Sequence, residues 1–264
     1  MSIVKVQGLN AEYFQSGAGP DIVLLHSLLT DASVFEPMLP SLSAGRRVTC
    51  LNLPGFGRSD ARPLETVAAY AEHVVATVDA LALPREAALF GNGFGAFVAL
   101  QAAARHGGRF GKLIVADVVP AFPEPARAPF LAMAARVRES GMPAVLDTAI
   151  ARMLPPAFQE RHPEHVAQRK RRLAEVDAHG FARACLALAA LDLRPELGAI
   201  RNPALVMCGA LDQTTPPALA REVAQAIPGA EYRDIPDSGH CPMLEQPDFL
   251  CEAMAGFLRR ATVQ

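Results

Sequence analysis

The segment Leu89-Phe90-Gly91-Asn92-Gly93-Phe94-Gly95-Ala96-Phe97-Val98-Ala99-Leu100-Gln101-Ala102 decides how this chain is read. An apolar run from Ala87 to Phe90 stops at a glycine, glycines recur at positions 91, 93 and 95, and an Ala/Val/Leu-rich helical pattern begins at once. This is the outline of G-x-S-x-G, the sharp strand-to-helix turn that lifts a nucleophile above a sheet. Here the central position is Gly93 rather than serine. Such a turn holds its central residue in a strained backbone conformation, which glycine adopts at least steric cost. The sequence therefore predicts an intact turn that lacks the side chain expected to attack from it.

Strand and helix signals alternate around this segment. Ile3–Val6 and Ala11–Phe14 alternate like the arms of a hairpin. Asp21–Leu25 is a continuous apolar run, as suits a strand covered on both faces. Helical spacing over Asp31–Leu42, a strand at Arg47–Asn52 and the turn-rich loop Leu53–Asp60 follow. Thr66 is placed to cap a helix reaching about Leu81, and Lys112–Ala116 reads as a strand with Asp117 at its end. This alternation argues for a mainly parallel sheet with helices on both faces. It breaks at Pro120, Pro123, Pro125 and Pro129, and helical segments then run to about Leu197. Alternation resumes with a strand at Pro203–Cys208, a helix at Ala218–Ala226, a strand at Ala230–Ile235 and a last helix from Pro247. The expected organisation is a core of residues 1–118 and 198–264 with a helical cap of residues 119–197. In the cap, the basic run Arg169-Lys170-Arg171-Arg172 reads as a solvated helix face, with contact to an acidic substrate or partner as the alternative.

Composition narrows the function classes. The 264 residues suffice for a substantial core, and 51% are hydrophobic and 20% charged, as in ordinary globular proteins. A net charge of −2 offers no global field for nucleic acid or an anionic membrane, so neither is an expected partner. No apolar run reaches the roughly 18 residues of a membrane span. The N-terminus alternates like a strand rather than like a signal peptide. The five cysteines are scattered without CxxC spacing, which argues against a zinc site or a disulfide framework and for a reducing, cytoplasmic setting.

Three further segments carry chemistry. In His26-Ser27-Leu28, after a strand, the N–H of Leu28 can face an oxyanion together with the N–H of Phe94. Taken alone, His26 reads as a buried structural histidine. Beside the turn, His26, Ser27 and Asn92 are expected substrate contacts, as are Phe130, Met133 and Met153 of the cap, although core packing is the commoner fate of such apolar residues. Asp212 closes Gly209-Ala210-Leu211-Asp212 at a strand end, where a carboxylate can fix an imidazole tautomer, and Asp117 is its rival. His240, in the loop Asp237-Ser238-Gly239-His240, is the expected general base. Ser59, Ser238 and Cys241 offer other nucleophilic atoms, but none lies on the turn.

With these motifs together, the chain resembles the α/β-hydrolase superfamily over essentially its whole length. The matching pieces are HSLLTD, NLPGFGRSD, GNGFGAF, GALDQTTPP and DSGHCPMLEQP. Within that superfamily it looks most like the 3-oxoadipate enol-lactonases and related small esterases, and its GN-x-F-G turn is also similar to that of C–C bond hydrolases. The resemblance implies an eight-stranded, mostly parallel sheet, a substrate pocket under the cap and no metal or organic cofactor. It also implies a small ester or lactone as substrate, cleaved through an acyl-serine with water as final acceptor. The family's Ser…Asp…His order falls here on Gly93…Asp212…His240, so the nucleophile is the missing member. Two alternatives stand beside a serine hydrolase whose nucleophile has been replaced. In one, His240 and Asp212 activate a water or act as acid and base in a lyase or C–C bond hydrolase. In the other, the chain binds a ligand without turnover.

Overall fold

The computed structural model describes residues 1–260. Eight strands form one sheet: β1 (Ser2–Val6), β2 (Leu9–Ser16), β3 (Asp21–Leu25), β4 (Arg47–Leu51), β5 (Ala88–Asn92), β6 (Leu113–Ala116), β7 (Ala204–Gly209) and β8 (Glu231–Ile235). Their order is β1-β2-β4-β3-β5-β6-β7-β8. The hairpin β1–β2 and the pair β2–β4 are antiparallel. Every later pair is parallel. The central strands β3, β5, β6 and β7 are buried along their whole length, which explains their unbroken apolar sequences.

The helices follow from equally local causes. Thr66 Oγ1 accepts a hydrogen bond from the Ala69 N–H at 3.2 Å and starts the helix Val67–Ala80. Residues 31–42 are less regular than their spacing suggests. A 3₁₀ stretch, Ala32–Met38, contains Pro37 and gives way to a short helix, Leu39–Ser43, with Pro40 in its first turn. The two prolines lack the N–H groups that a continuous α-helix needs. Between β6 and β7 the chain is helical, beginning with Glu124–Ser140 and ending with Arg194–Leu197.

One expectation for this helical insertion is corrected. Arg169 is not on a solvated face but buried at 2% exposure, and it donates to Ser33 Oγ at 2.9 Å and to Asp31 Oδ1 at 3.4 Å. Its neighbours Arg171 and Arg172 are exposed. One cation of the run therefore pins the helix Pro163–Ala174 to the loop after β3, Lys170 pairs with Asp147, and Arg171 and Arg172 remain in water.

The glycines of the β5 turn are required by close approach. A Cβ at Gly91 would overlap the Gly95 carbonyl, and one at Gly95 would lie 2.7 Å from His26 O and still nearer the Leu25 carbonyl. Strand β5, the helix Phe94–His106 and the end of β3 therefore meet with no room for a methyl group. A Gly95→Ala variant should lose about 2 kcal/mol or more of unfolding free energy in urea. In contrast, Gly256→Ala lies in a helix with nothing within 4 Å of the new Cβ and should gain about 0.5–1 kcal/mol in the same measurement.

Candidate active site

Gly93 sits between β5 and the helix Phe94–His106 with φ +52° and ψ −116°. This conformation disfavours any side chain. Its N–H donates to Ala116 O at 3.0 Å, and its carbonyl accepts from Ala96 and Phe97, so the turn is fastened to β6 on one side and to its helix on the other. A Cβ at this position would lie 2.9 Å from His240 Nε2 and 3.1 Å from Ser27 Cβ, with Ser27 Oγ closer still. The imidazole thus faces the place where a residue-93 side chain would begin, and the Ser27 hydroxyl occupies part of it.

Behind that imidazole, His240 Nδ1 is 2.8 Å from Asp212 Oδ2. Asp212 also accepts from Thr215 Oγ1 at 2.5 Å and from the N–H groups of Thr214 and Thr215 at 2.7 and 3.1 Å. Burial works to raise the Asp212 carboxyl, but the His240 charge and hydrogen bond and the Thr215 donors outweigh it and hold the group at about 2. Burial likewise works to lower His240, and Asp212 overcomes it, so the imidazole is raised above the ordinary histidine range. The His240 loop is held by Glu245, which accepts from the Gly239 N–H at 2.7 Å and the Cys241 N–H at 3.0 Å.

Asp117, the rival acid, is turned elsewhere. Its carboxylate accepts from Asn92 Nδ2 at 2.6 Å and from the Gly209 N–H at 2.8 Å, tying β5, β6 and β7 together at their ends. Full burial, then the nearby Asp212 charge, push its carboxyl well above the usual range. Asp117, Asp212 and His240 place possible ligand atoms within 4.8 Å of one another. Their oxygens and Nδ1 are already engaged by these hydrogen bonds, so the cluster fits an acid–base pair with a supporting acid better than a metal.

A cavity of about 20 Å³, room for roughly one water, opens at Gly93. Its walls include Ser27, Leu28, Phe94 and His240, with Phe130 and Arg152 from the helical insertion. A much larger hollow, about 520 Å³, lies between Leu39–Ser43 and the C-terminal helix and contains none of these residues.

The structure corrects four expected substrate contacts. His26 is fully buried, with Nδ1 2.8 Å from Ser27 O and Nε2 accepting from the Leu53 N–H at 3.0 Å. Burial lowers it to about 4, and it serves as a neutral strut for the Leu53–Asp60 loop. Asn92 is committed to Asp117, and Met133 and Met153 are buried in packing away from the cavity wall. The other nucleophilic atoms are also accounted for. Ser59 bridges Glu12 and Asn52, Ser238 contacts Gly239 O, and Cys241 is fully buried with its thiol pushed well up. Thr215 and Arg152 were not singled out in the sequence. GALDQTTPP holds a hydroxyl close enough to its Asp to have signalled Thr215, whereas nothing local marks Arg152.

These distances set the terms for comparison with known proteins. A profile of the alpha/beta hydrolase fold matches residues 20–247. The chain belongs to the α/β-hydrolase fold family. This α/β hydrolase is 30% identical over 254 residues to 3-oxoadipate enol-lactonase 2 of Acinetobacter baylyi, covering 96% of this chain and 93% of that one. It is 32% identical over 253 residues to a pimeloyl-[acyl-carrier protein] methyl ester esterase of Aeromonas hydrophila, covering 92% and 96%. Among solved structures it resembles the enol-lactonase of Burkholderia xenovorans with a TM-score of 0.92 at 31% identity, covering 98% of this chain and 100% of that one. Among the described residues of this α/β hydrolase, no helix is long and apolar enough to cross a membrane.

The electrostatics of this α/β hydrolase are open to direct measurement. In an NMR titration, His240 should hold its proton to a pH above the ordinary 6.5, while His26 and His73 titrate near 4. Asp212→Asn removes the attraction and leaves the burial, so the His240 midpoint should fall below that of the unmodified chain.

Proposed function

We propose that this chain hydrolyses a small carboxylic ester or lactone, with Asp212 and His240 as its acid–base pair and a water in place of the missing serine. The observation that carries this reading is the placement of His240 Nε2, 2.9 Å from an unfilled Cβ position at Gly93 and bordering a cavity of about 20 Å³. A water there would give its proton to Nε2 as its oxygen attacks the carbonyl carbon. Leu28 and Phe94 line the same cavity, and their N–H groups would hold the oxyanion while the departing alkoxide or enolate takes the proton back. Asp212 would fix the imidazole tautomer and balance its transient charge. Relatives named for enol-lactone and methyl ester hydrolysis support the substrate class. The helical insertion, residues 119–197, would act as the cap that closes the pocket and sets specificity.

A hydrolase without its nucleophile keeps roughly 10³–10⁴-fold catalysis over water in comparable sites. Slow turnover of a short activated ester or an enol-lactone is therefore expected, abolished by His240→Ala and with no acyl adduct visible by mass spectrometry. Gly93→Ser should raise turnover by roughly 10²-fold or more and form an acyl adduct at residue 93. The new side chain needs the Ser27 hydroxyl to rotate away, so Ser27→Ala should enhance the gain. An acyl adduct on the unmodified chain would exclude water as the attacking group. Absence of turnover in both chains would exclude the hydrolase reading.

A further inference from the structure

A joint between two helices of the insertion gathers metal-ligating side chains that the hydrolase site does not use. The helix Pro156–Arg161 ends there, His162 is the N-cap of the helix Pro163–Ala174, and Glu164 and His165 lie in that helix's first turn. The N–H groups of His165 and Val166 both donate to His162 O, at 3.1 and 3.2 Å, which closes the turn between the two histidines. Residues three apart in such a turn are neighbours on one face. One ring nitrogen of each histidine and one Glu164 oxygen accordingly lie within 4.8 Å of one another.

Their spacing suits chelation better than pairing. His162 Nδ1 stands 3.5 Å from Glu164 Oε1, longer than a good hydrogen bond. Two ligand atoms on a tetrahedral Zn²⁺ at ordinary bond lengths are about 3.4 Å apart, so this pair already has the bite of a chelate. His165 Nδ1 is buried and meets no hydrogen-bond partner among the described residues. Packing holds the rings in place. The Phe158 ring centroid lies 4.5 Å from that of His162 and 6.1 Å from that of His165, and the two imidazoles are 5.4 Å apart and 21° from parallel. Side chains ordered in advance cost less entropy when they bind. The positive end of the helix opposes a cation, and the Glu164 carboxylate supplies the charge that offsets it. Two imidazoles and one carboxylate select a late first-row divalent ion such as Zn²⁺ over Mg²⁺ or Ca²⁺, which take oxygen ligands.

We propose that His162, Glu164 and His165 bind a divalent late transition-metal ion, which fastens the two helices at their joint. Pro155, just before the first of these helices, packs so closely on Gly239 of the His240 loop that a Cβ there would lie 2.8 Å from its ring. The ion therefore stiffens the part of the insertion that abuts that loop, and it does so whatever reaction the pocket performs. Zn²⁺ titrated into the full chain by calorimetry, slightly above neutral pH in a non-chelating buffer, is the probe. One Zn²⁺ should bind per chain, an excess of Mg²⁺ should not displace it, and the thermal midpoint should rise with Zn²⁺ concentration. His162→Ala and His165→Ala should each weaken Zn²⁺ by roughly tenfold or more, and Glu164→Gln should weaken it in the same direction. Asp117, Asp212 and His240 form a second cluster of possible ligands, so the variant lacking both His162 and His165 decides the location. It should lose the tight binding phase and the Zn²⁺-dependent rise in midpoint. Should the alanine variants melt early, His162→Gln and His165→Gln serve in their place. Zn²⁺ affinity unchanged in the folded double variant, or no saturable Zn²⁺ binding to the unmodified chain, would overturn the site.

Discussion

Strand β5 and the helix that follows it approach so closely that neither Gly91 nor Gly95 can carry a side chain, and the rest of the site takes its position from that contact. The end of β3 is pressed against Gly95, which brings Ser27 and Leu28 to the wall of the cavity at the turn. The Gly93 N–H is bonded to the end of β6, and Asp117, one residue further, reaches across to β5 and β7. Strand β7 then delivers Asp212, and the loop after β8 delivers His240. Four parallel strand ends are thus held in register, β3 and β5 by backbone contacts that tolerate no added methyl group and β5, β6 and β7 by the Asp117 carboxylate. Catalytic side chains on loops gain their precision from a scaffold of this kind.

A glycine at residue 93 does not loosen this frame. The φ of +52° and ψ of −116° are set by the turn, and glycine meets that conformation without strain. The consequence falls on the neighbours instead. Ser27 and His240 close around the vacant position, leaving space for roughly one water between a hydroxyl and an imidazole of raised proton affinity. That space is walled in part by Phe130 and Arg152 of the helical insertion.

Most of the fold was legible because its signals are local. Continuous apolar runs marked β3, β5, β6 and β7, Thr66 marked a helix start, and prolines marked the insertion. Asp212 and His240 were legible because each follows a strand at a loop position from which the two can meet. Arg169 and Arg152 were not, for one shared reason. A charged residue on an amphipathic helix looks solvated in sequence whether it meets water, a loop 138 residues away or a cavity, and only tertiary packing distinguishes these. His26 and Asn92 failed in the opposite sense. They sit in motifs beside the site, yet their polar atoms are spent on backbone and carboxylate partners that hold the site in place.

The two buried acids show how that division of labour works. Asp117 and Asp212 raise each other's cost of ionisation, and only one of them faces His240. Asp212 gathers the imidazole, two N–H groups and a hydroxyl, and so remains an anion at about 2. Asp117 has two donors and full burial, so its carboxyl is pushed the other way. The Asp117 charge adds to that of Asp212 in raising His240, and the burial that pushes Asp117 toward its neutral form limits that addition. The imidazole and the two acids are thus set apart in proton affinity by where each is buried and bonded. That condition depends on burial at the strand ends, and hence again on the close contact at the β5 turn.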